Sequence, residues 1–235
     1  MTTFGSPRRH FSDCGSTNDL AREWASDSAE TAPSGALVTA DFQTRGRGQR
    51  GHQWQAEADQ SALMSFVYRL TPASDAGQLG LVTALAASEA LGSLGFSPQI
   101  KWPNDILIDG KKVGGILVEV AAGAAVLGIG INVGQTEFRG AADFAYLPTS
   151  LRLGSGREQS VPSVIEAVVQ SLSHWEKRWR QEGFPVVLER CRAVLAVGVP
   201  VRQGGALGML AGLSEHGAAM VRLADGTFGE WTTVN

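Results

Sequence analysis

Residues 99–133 read QIKWPNDILIDGKKVGGILVEVAAGAAVLGIGINV, and the fold class turns on how this stretch breaks up. Short strand-like runs occupy Gln99–Trp102 and Ile106–Ile108, and a turn follows at Asp109-Gly110. A longer run goes from Lys112 to Ala121, a second turn falls at Gly123, and a last run spans Ala125 to Val133. Each break carries the Gly or Asp-Gly chemistry of a tight reversal, so the spacing predicts an antiparallel meander. Gly128 and Gly130 inside the last run permit close approach by a ligand or a neighbouring backbone, although plain packing uses glycine in the same way.

Working outward, Gly35–Phe42 and Ser61–Leu70 read as buried strands joined by a polar, Gly-rich loop from Gln43 to about Asp59. Leu20, Ala21, Trp24 and Ala25 follow Ser16-Thr17-Asn18 at helical spacing, which predicts a capped helix fraying near Ser28. Ala76–Gly95 carries Leu79, Val82, Leu85, Ala86, Leu91 and Leu94 and ends in Gly, the pattern of a long core helix. Residues 134–160 read as loop. Pro162 opens a helix to Gly183 and another is expected around Val186–Leu195. From Val199 to Asn235 the texture becomes short alternating stretches broken by glycine, a small β unit that must pack on its neighbour. Helices and strands without strict βαβ alternation indicate an α+β fold, a mixed and mainly antiparallel sheet with packed helices. The expected division is a catalytic-size domain at 1–195 and a small β domain at 196–235.

Composition excludes several functions. The 235 residues carry 20 basic and 23 acidic side chains, net −3, which gives no electrostatic reason to bind nucleic acid or an anionic membrane. The longest apolar run, Val120 to Ile131, is too short to span a bilayer, and no secretion signal opens the chain, so a cytoplasmic protein is expected. Cys14 and Cys191 form neither a disulfide framework nor a metal-binding CxxC, and His10, His52, His174 and His216 are dispersed. Arg outnumbers Lys sixteen to four, yet Lys101, Lys111 and Lys112 fall within twelve residues. Either a compact ammonium is needed there or the segment is a solvated turn.

Two segments carry chemistry. Arg45-Gly46-Arg47-Gly48-Gln49-Arg50-Gly51 has the GxGxxG spacing, but no apolar helix follows it, as a dinucleotide fold requires. Its glycines and arginines suit a phosphate or carboxylate, and a basic surface loop reads alike. Asp105 and Lys112, across a tight turn, could face one cleft and neutralise developing negative charge, or form an ordinary ion pair.

Taken together, Ser16-Thr17-Asn18, the Gly46-Arg47-Gly48 loop ending in Trp54, Lys101 through Lys112 to Glu119, and Gly128 to Val133 resemble the biotin protein ligases in order and spacing. The resemblance covers roughly residues 10–195, and the tail resembles the small SH3-like β-barrel that closes those enzymes beside their class II synthetase-like catalytic domain. It implies activation of biotin by Mg²⁺-ATP to biotinoyl-5′-AMP, then transfer to a lysine of a biotin carboxyl carrier domain. Arg47 and Lys112 are implied to touch the biotin carboxylate and α-phosphate, with Asp105 assisting through Mg²⁺ or by orienting Lys112. Biotin is implied to lie against Ser16, Thr17, Asn18, Gln43, Gly48, Gln49, Gly114 and Gly115. ATP is implied against Gly46, Arg50, Trp54, Asn104 and Asn132. Gln49 and His52 stand where many members carry Arg or another polar residue, which predicts a looser hold on the adenylate. Ser16 comes too early for a preceding DNA-binding domain, so the monofunctional form is expected; homodimers are common in the family. A lipoate or octanoyl transferase and a non-catalytic biotin sensor are the alternative readings.

Overall fold

A computed structural model describes residues 3–71, 76–121, 123–138 and 146–232, the side chain of Arg50 excepted. Seven strands form the main sheet: β1 Arg8–Cys14, β2 Leu37–Gln43, β3 Ser61–Arg69, β4 Gln99–Lys101, β5 Asp105–Ile108, β6 Lys111–Ala121 and β7 Ala124–Asn132. Their order is β1-β2-β3-β7-β6-β5-β4. The meander expected from residues 99–133 is present, with β4, β5, β6 and β7 paired antiparallel in succession. β1, which sequence reading left unassigned, pairs parallel with β2. A parallel neighbour requires a crossover, and helix α1, Thr17–Ser26, supplies it.

Side-chain alternation divides the sheet into two working faces. On β7, Ala125, Leu127, Ile129 and Ile131 enter the main core with α2 (Ala76–Ser93). The helices α4 (Val161–Glu182) and α5 (Phe184–Ala193) contribute Val164, Val168, Trp175, Val187 and Leu188 to it. The opposite face begins with Ala124 and Val126 beneath α1, packed with Ala21, Trp24 and Ala25. It continues through Gly128, Gly130 and Asn132. Apolar bulk thus gives way to glycine at the N-terminal end of α1, where Gly128 lies against Asn18, and the floor of a cavity opens there.

A short helix α3, Leu151–Ser155, capped by the Ser150 hydroxyl, lies in the segment expected to be loop. Five residues are too few for a periodic apolar signal. The C-terminal residues form β8 Pro200–Gln203, β9 Ala206–Leu213, β10 Ala219–Arg222 and β11 Phe228–Trp231. They make an antiparallel sheet of order β11-β10-β9-β8. The expected closed barrel is replaced, among the described residues, by an open four-stranded sheet with β8 and β11 at its edges. Val201, Leu210, Leu213, Val221 and Trp231 join the main core, and the Trp102 indole donates to the Gly217 carbonyl at 2.8 Å. That bond anchors the residues following β4 to the second sheet. No helix among the described residues is long and apolar enough to cross a membrane.

Candidate active site

A cavity of about 730 Å³ opens on the glycine face of the sheet. Thirteen of the residues expected at a site line it: Ser16, Thr17, Asn18, Gln43, Arg47, Gly48, Gln49, Trp54, Asn104, Asp105, Lys112, Gly115 and Asn132. Gly46 and Gly114 do not. Gly46 is buried beneath the wall, where an added Cβ would sit 2.5 Å from the Trp54 carbonyl oxygen. Gly114 faces the other way, against the Gly130 carbonyl and Ile131. The side chain of Arg50 lies outside the described residues.

The segment between β2 and β3 is more ordered than a polar loop reading implies. Gly48 donates to the His52 carbonyl at 2.7 Å, Trp54 donates to that of Gly46 at 3.0 Å, and Arg47 bridges Gln53. A single 3-10 turn at Gln49–Gly51 reverses the chain, giving a small hairpin folded over the cavity. Its far end places the Trp54 ring on the glycine floor. A Cβ at Gly130 would fall 2.6 Å from the ring and one at Gly115 3.2 Å away, so these two glycines make room for the indole. Trp54 Nε1 is buried without a hydrogen-bond partner.

One end of the cavity is a neutral network. Gln43 Oε1 accepts from the Thr17 backbone N–H at 2.7 Å and lies 3.1 Å from the Thr17 hydroxyl. The Ser65 hydroxyl lies 2.8 Å from Thr17 Oγ1 and 2.6 Å from Asn18 Oδ1. Asn18 Nδ2 donates to Glu119 Oε2 at 2.8 Å and to the Leu117 carbonyl at 3.3 Å. Ser16 precedes α1 as its N-cap residue but makes no side-chain cap bond, so the Ser-Thr-Asn segment is not spent on capping. Glu119 Oε2 also accepts from Arg47 Nη2 at 2.7 Å, and Asp19 Oδ1 lies 2.9 Å from the same nitrogen.

The other end is cationic. Lys101 and Asp105 face each other across β4 and β5, and Lys112 enters from β6. Asp105 Oδ1 is 2.6 Å from Lys112 Nζ and Oδ2 is 3.3 Å from Lys101 Nζ. Strict alternation would put Lys112 on the face opposite Gly115. The register shifts here: Ile106 pairs with Gly114 and Leu107 with Lys112, which leaves Val113 as an extra residue. This bulge turns Lys112 to the cavity side, where its Nζ comes within 3.5 Å of a Cβ built on Gly115. Lys101 is 7% exposed and Asp105 8%, so the pairing is sheltered from water. Lys101 Nζ also lies 4.4 Å from the centre of the Tyr146 ring, and Tyr146 donates its hydroxyl to the Pro200 carbonyl at 2.9 Å. Burial, and secondarily the charge of Asp105, push the Tyr146 phenol up, so it remains a neutral donor at working pH.

Two asparagines of the site are partly committed to structure. Asn104 Nδ2 donates to the Ile116 carbonyl at 3.2 Å and Asn132 Nδ2 to the Thr149 carbonyl at 2.9 Å. Both thiols are unfit as nucleophiles, since burial is the first cause lifting Cys14 to about 11 and Cys191 to about 12. The described residues hold no group of three His, Cys, Asp or Glu side chains arranged for a metal. Asp105 fits poorly as a Mg²⁺ ligand, because each of its oxygens already faces an ammonium.

Sequence reasoning gave no role to Ser65, Asp19, Glu119 and Tyr146, and singled out Lys101 only as one of three clustered lysines. A hydroxyl inside the apolar run from Ala62 to Tyr68 was the available signal for Ser65. Lys101 directly before Trp102 in a strand was the signal for a buried lysine. Asp19 and Glu119 meet at Arg47, a partner 28 residues from one and 72 from the other, a separation that leaves no local signal.

Residues 14–135 match the Biotin/lipoate A/B protein ligase family. Over 226 residues the chain is 34% identical to the "Bifunctional ligase/repressor BirA" of Bacillus spizizenii, covering 90% of this chain and 68% of that protein. Over 202 residues it is 32% identical to a "Biotin--[acetyl-CoA-carboxylase] ligase" of Paracoccus denitrificans, covering 80% and 84%. The biotin protein ligase of Aquifex aeolicus, solved with biotin and ATP, superposes with a TM-score of 0.85 at 28% identity, over 97% of this chain and 96% of that one. An ordered Ser-Thr-Asn network, a glycine floor and a lysine-rich end therefore meet in a sequence of matching descent, and the chain belongs to the biotin/lipoate A/B protein ligase family, as an enzyme among its biotin protein ligases.

Proposed function

We propose that this enzyme activates biotin with ATP as biotinoyl-5′-AMP and transfers it to one lysine of a biotin carboxyl carrier domain. The observation that carries the reading is the polarity of the cavity, with a neutral network at one end and a net positive cluster at the other. A ureido ring presents neutral donors and acceptors, which the Thr17–Ser65–Asn18 network and Gln43 match. A carboxylate meeting a triphosphate brings two anions together, and only cations that strengthen their contacts as charge builds lower that barrier.

In the first step a biotin carboxylate oxygen attacks the α-phosphorus and the bond to the β-phosphate oxygen breaks, releasing pyrophosphate. Lys112, held by Asp105, stabilises the charge that accumulates on the α-phosphoryl oxygens, and Lys101 sets Asp105 from behind. Arg47, which also lines the cavity, is assigned to the biotin carboxylate and the same phosphoryl oxygens. Trp54 and Asn104 border the adenine, and Asn132 lies nearby. The hairpin from Gly46 to Trp54 shields the anhydride from water. In the second step a neutral lysine amine attacks the acyl carbon, the bond to the phosphate oxygen breaks, AMP leaves and the spare proton passes to solvent. Magnesium brought in by the nucleotide would screen its phosphates. Asp105 is assigned to holding Lys112 and not to the metal.

The test is incubation of the pure protein with biotin and Mg²⁺-ATP without an acceptor. Pyrophosphate release and a bound biotinoyl-AMP, seen by mass spectrometry, are the expected result. Biotin binding without ATP cleavage would overturn the ligase assignment in favour of a sensor, and turnover of lipoate in place of biotin would overturn the substrate.

A further inference from the structure

The chain carries only four side-chain amines, Lys101, Lys111, Lys112 and Lys177, beside sixteen guanidinium groups. An amine can accept an acyl group, whereas a guanidinium stays charged and does not. Two of the four, Lys101 and Lys112, line the cavity. The other two are exposed, Lys111 next to Lys112 at the start of β6 and Lys177 on α4. A mixed anhydride of a carboxylic acid and a phosphate, formed in this cavity, therefore lies beside two acceptors that belong to the enzyme itself. Asp105 stands between these amines and that fate. Its Oδ1 is 2.6 Å from Lys112 Nζ and its Oδ2 is 3.3 Å from Lys101 Nζ, so one carboxylate engages both. An amine attacks a carbonyl carbon through its lone pair, and an ammonium facing a carboxylate has none to offer.

We propose that Asp105 guards the enzyme against acylating itself. By holding Lys101 and Lys112 as ammonium ions it reserves them for anions and leaves the acyl group to an amine brought by the partner. The inference rests on the proposed ligase reading, which supplies the anhydride. Without the carboxylate, two sheltered ammonium ions lose the anion they share, and a sheltered charge without its counter-ion sheds a proton. The lone pair of Lys112 Nζ then attacks the acyl carbon and a carbon–nitrogen bond forms. The bond from that carbon to the phosphate oxygen breaks, AMP leaves with the electron pair, and the amine proton passes to solvent. The product is a biotinoyl amide on Lys112, which removes the cation needed for the next turnover.

Two experiments separate the guard from the ligase reading. In the first, the ligand-free full chain is treated with a trace of acetic anhydride, and acetylation is read lysine by lysine by mass spectrometry. In wild type, Lys101 and Lys112 are expected to react about tenfold more slowly than Lys111 and Lys177. In Asp105→Asn, Lys112 is expected to gain about tenfold relative to the two exposed lysines, while Asp105→Glu, which keeps the charge, stays near wild type. Wild-type Lys112 reacting as fast as Lys111 would overturn the guard without recourse to any variant. So would an Asp105→Asn chain with wild-type circular dichroism in which Lys112 gains nothing. In the second experiment, synthetic biotinoyl-AMP replaces biotin and ATP, so the result does not depend on the first half-reaction. A biotinoyl adduct on Lys112 of Asp105→Asn, about tenfold above wild type, is the expected result. Adducts confined to Lys111 and Lys177 in both proteins, with the acetylation contrast present, would overturn the ligase reading of the cavity and leave the guarding of its two amines standing.

Discussion

At one end of the cavity an acid sits between two bases, Asp105 between Lys101 and Lys112; at the other a base sits between two acids, Arg47 between Asp19 and Glu119. The first cluster is borne by three adjacent strands and carries a formal charge of two minus one, or +1. The second ties a loop to a helix and a strand, and its charge is one minus two, or −1, which Arg22 on Asp19 brings to zero. The side-chain types are alike and the work is opposite. A net cation fixed on strands is preorganised for an anion, and it needs no rearrangement when charge develops. A guanidinium whose charge is already matched serves better to fasten a loop. On the proposed reading the lysines meet the charge that develops on the phosphate, and Arg47, which also lines the cavity, fastens its loop to the sheet besides.

Removing the cation at the strand-borne end has the largest expected effect. Lys112→Met should lower single-turnover pyrophosphate release by ~10²–10³-fold, the range for losing one preorganised charge contact. An effect below threefold would move the chemistry to the other end of the cavity. The next contrast concerns stability. Asp105→Ala strands a buried ammonium, a loss of about 3 kcal/mol, which in a chain of this size lowers Tm by roughly 6–12 °C. Asp19→Ala removes a half-exposed pair, and the expected loss stays under ~1 kcal/mol. Scanning calorimetry of the two variants side by side checks this, and equal shifts would erase the distinction between the ends.

Smaller effects test the hairpin between them. Gly130→Ala places a methyl 2.6 Å from the Trp54 ring and should displace it from the floor. An overpacking penalty of ~1.4 kcal/mol corresponds to about a tenfold rise in KM for ATP. An unchanged KM would remove Trp54 from the nucleotide site. The least effect is expected from Gln49→Arg. Gln49 lines the cavity, whereas the Arg45 guanidinium lies beside Gly15 and outside the lining. A new guanidinium should slow release of the adenylate ~3-fold through a charge-assisted contact. Release at the wild-type rate would show that charge at this position does not matter.

Much of the molecule was legible in the sequence. The meander followed from turn residues spaced along residues 99–133, and the long helices from apolar periodicity, because both signals are local. Most of the residues picked out for a site do converge on one cavity. The strand β1 was not legible, since its sequence RRHFSDC is an edge strand with little apolar content, and parallel pairing with β2 depends on a crossover. The open C-terminal sheet was expected as a barrel, because strand-like texture fixes neither order nor closure.

The sequence alone determined which chemical groups are available: the neutral Ser-Thr-Asn segment, the glycine face of β7, and lysines clustered in a chain that otherwise prefers arginine. Only the tertiary structure decided which way they point and what they meet. The Val113 bulge turns Lys112 onto the face of Gly115, against the period-two alternation that its neighbours obey. Arg47 finds Asp19 and Glu119 because α1 packs on the sheet face to which the Glu119 side chain of β6 points. Alternation and turn chemistry act between near neighbours and are written in residue order. Bulge placement and ion pairing between distant residues depend on how whole elements pack, and that is settled only when the chain has folded.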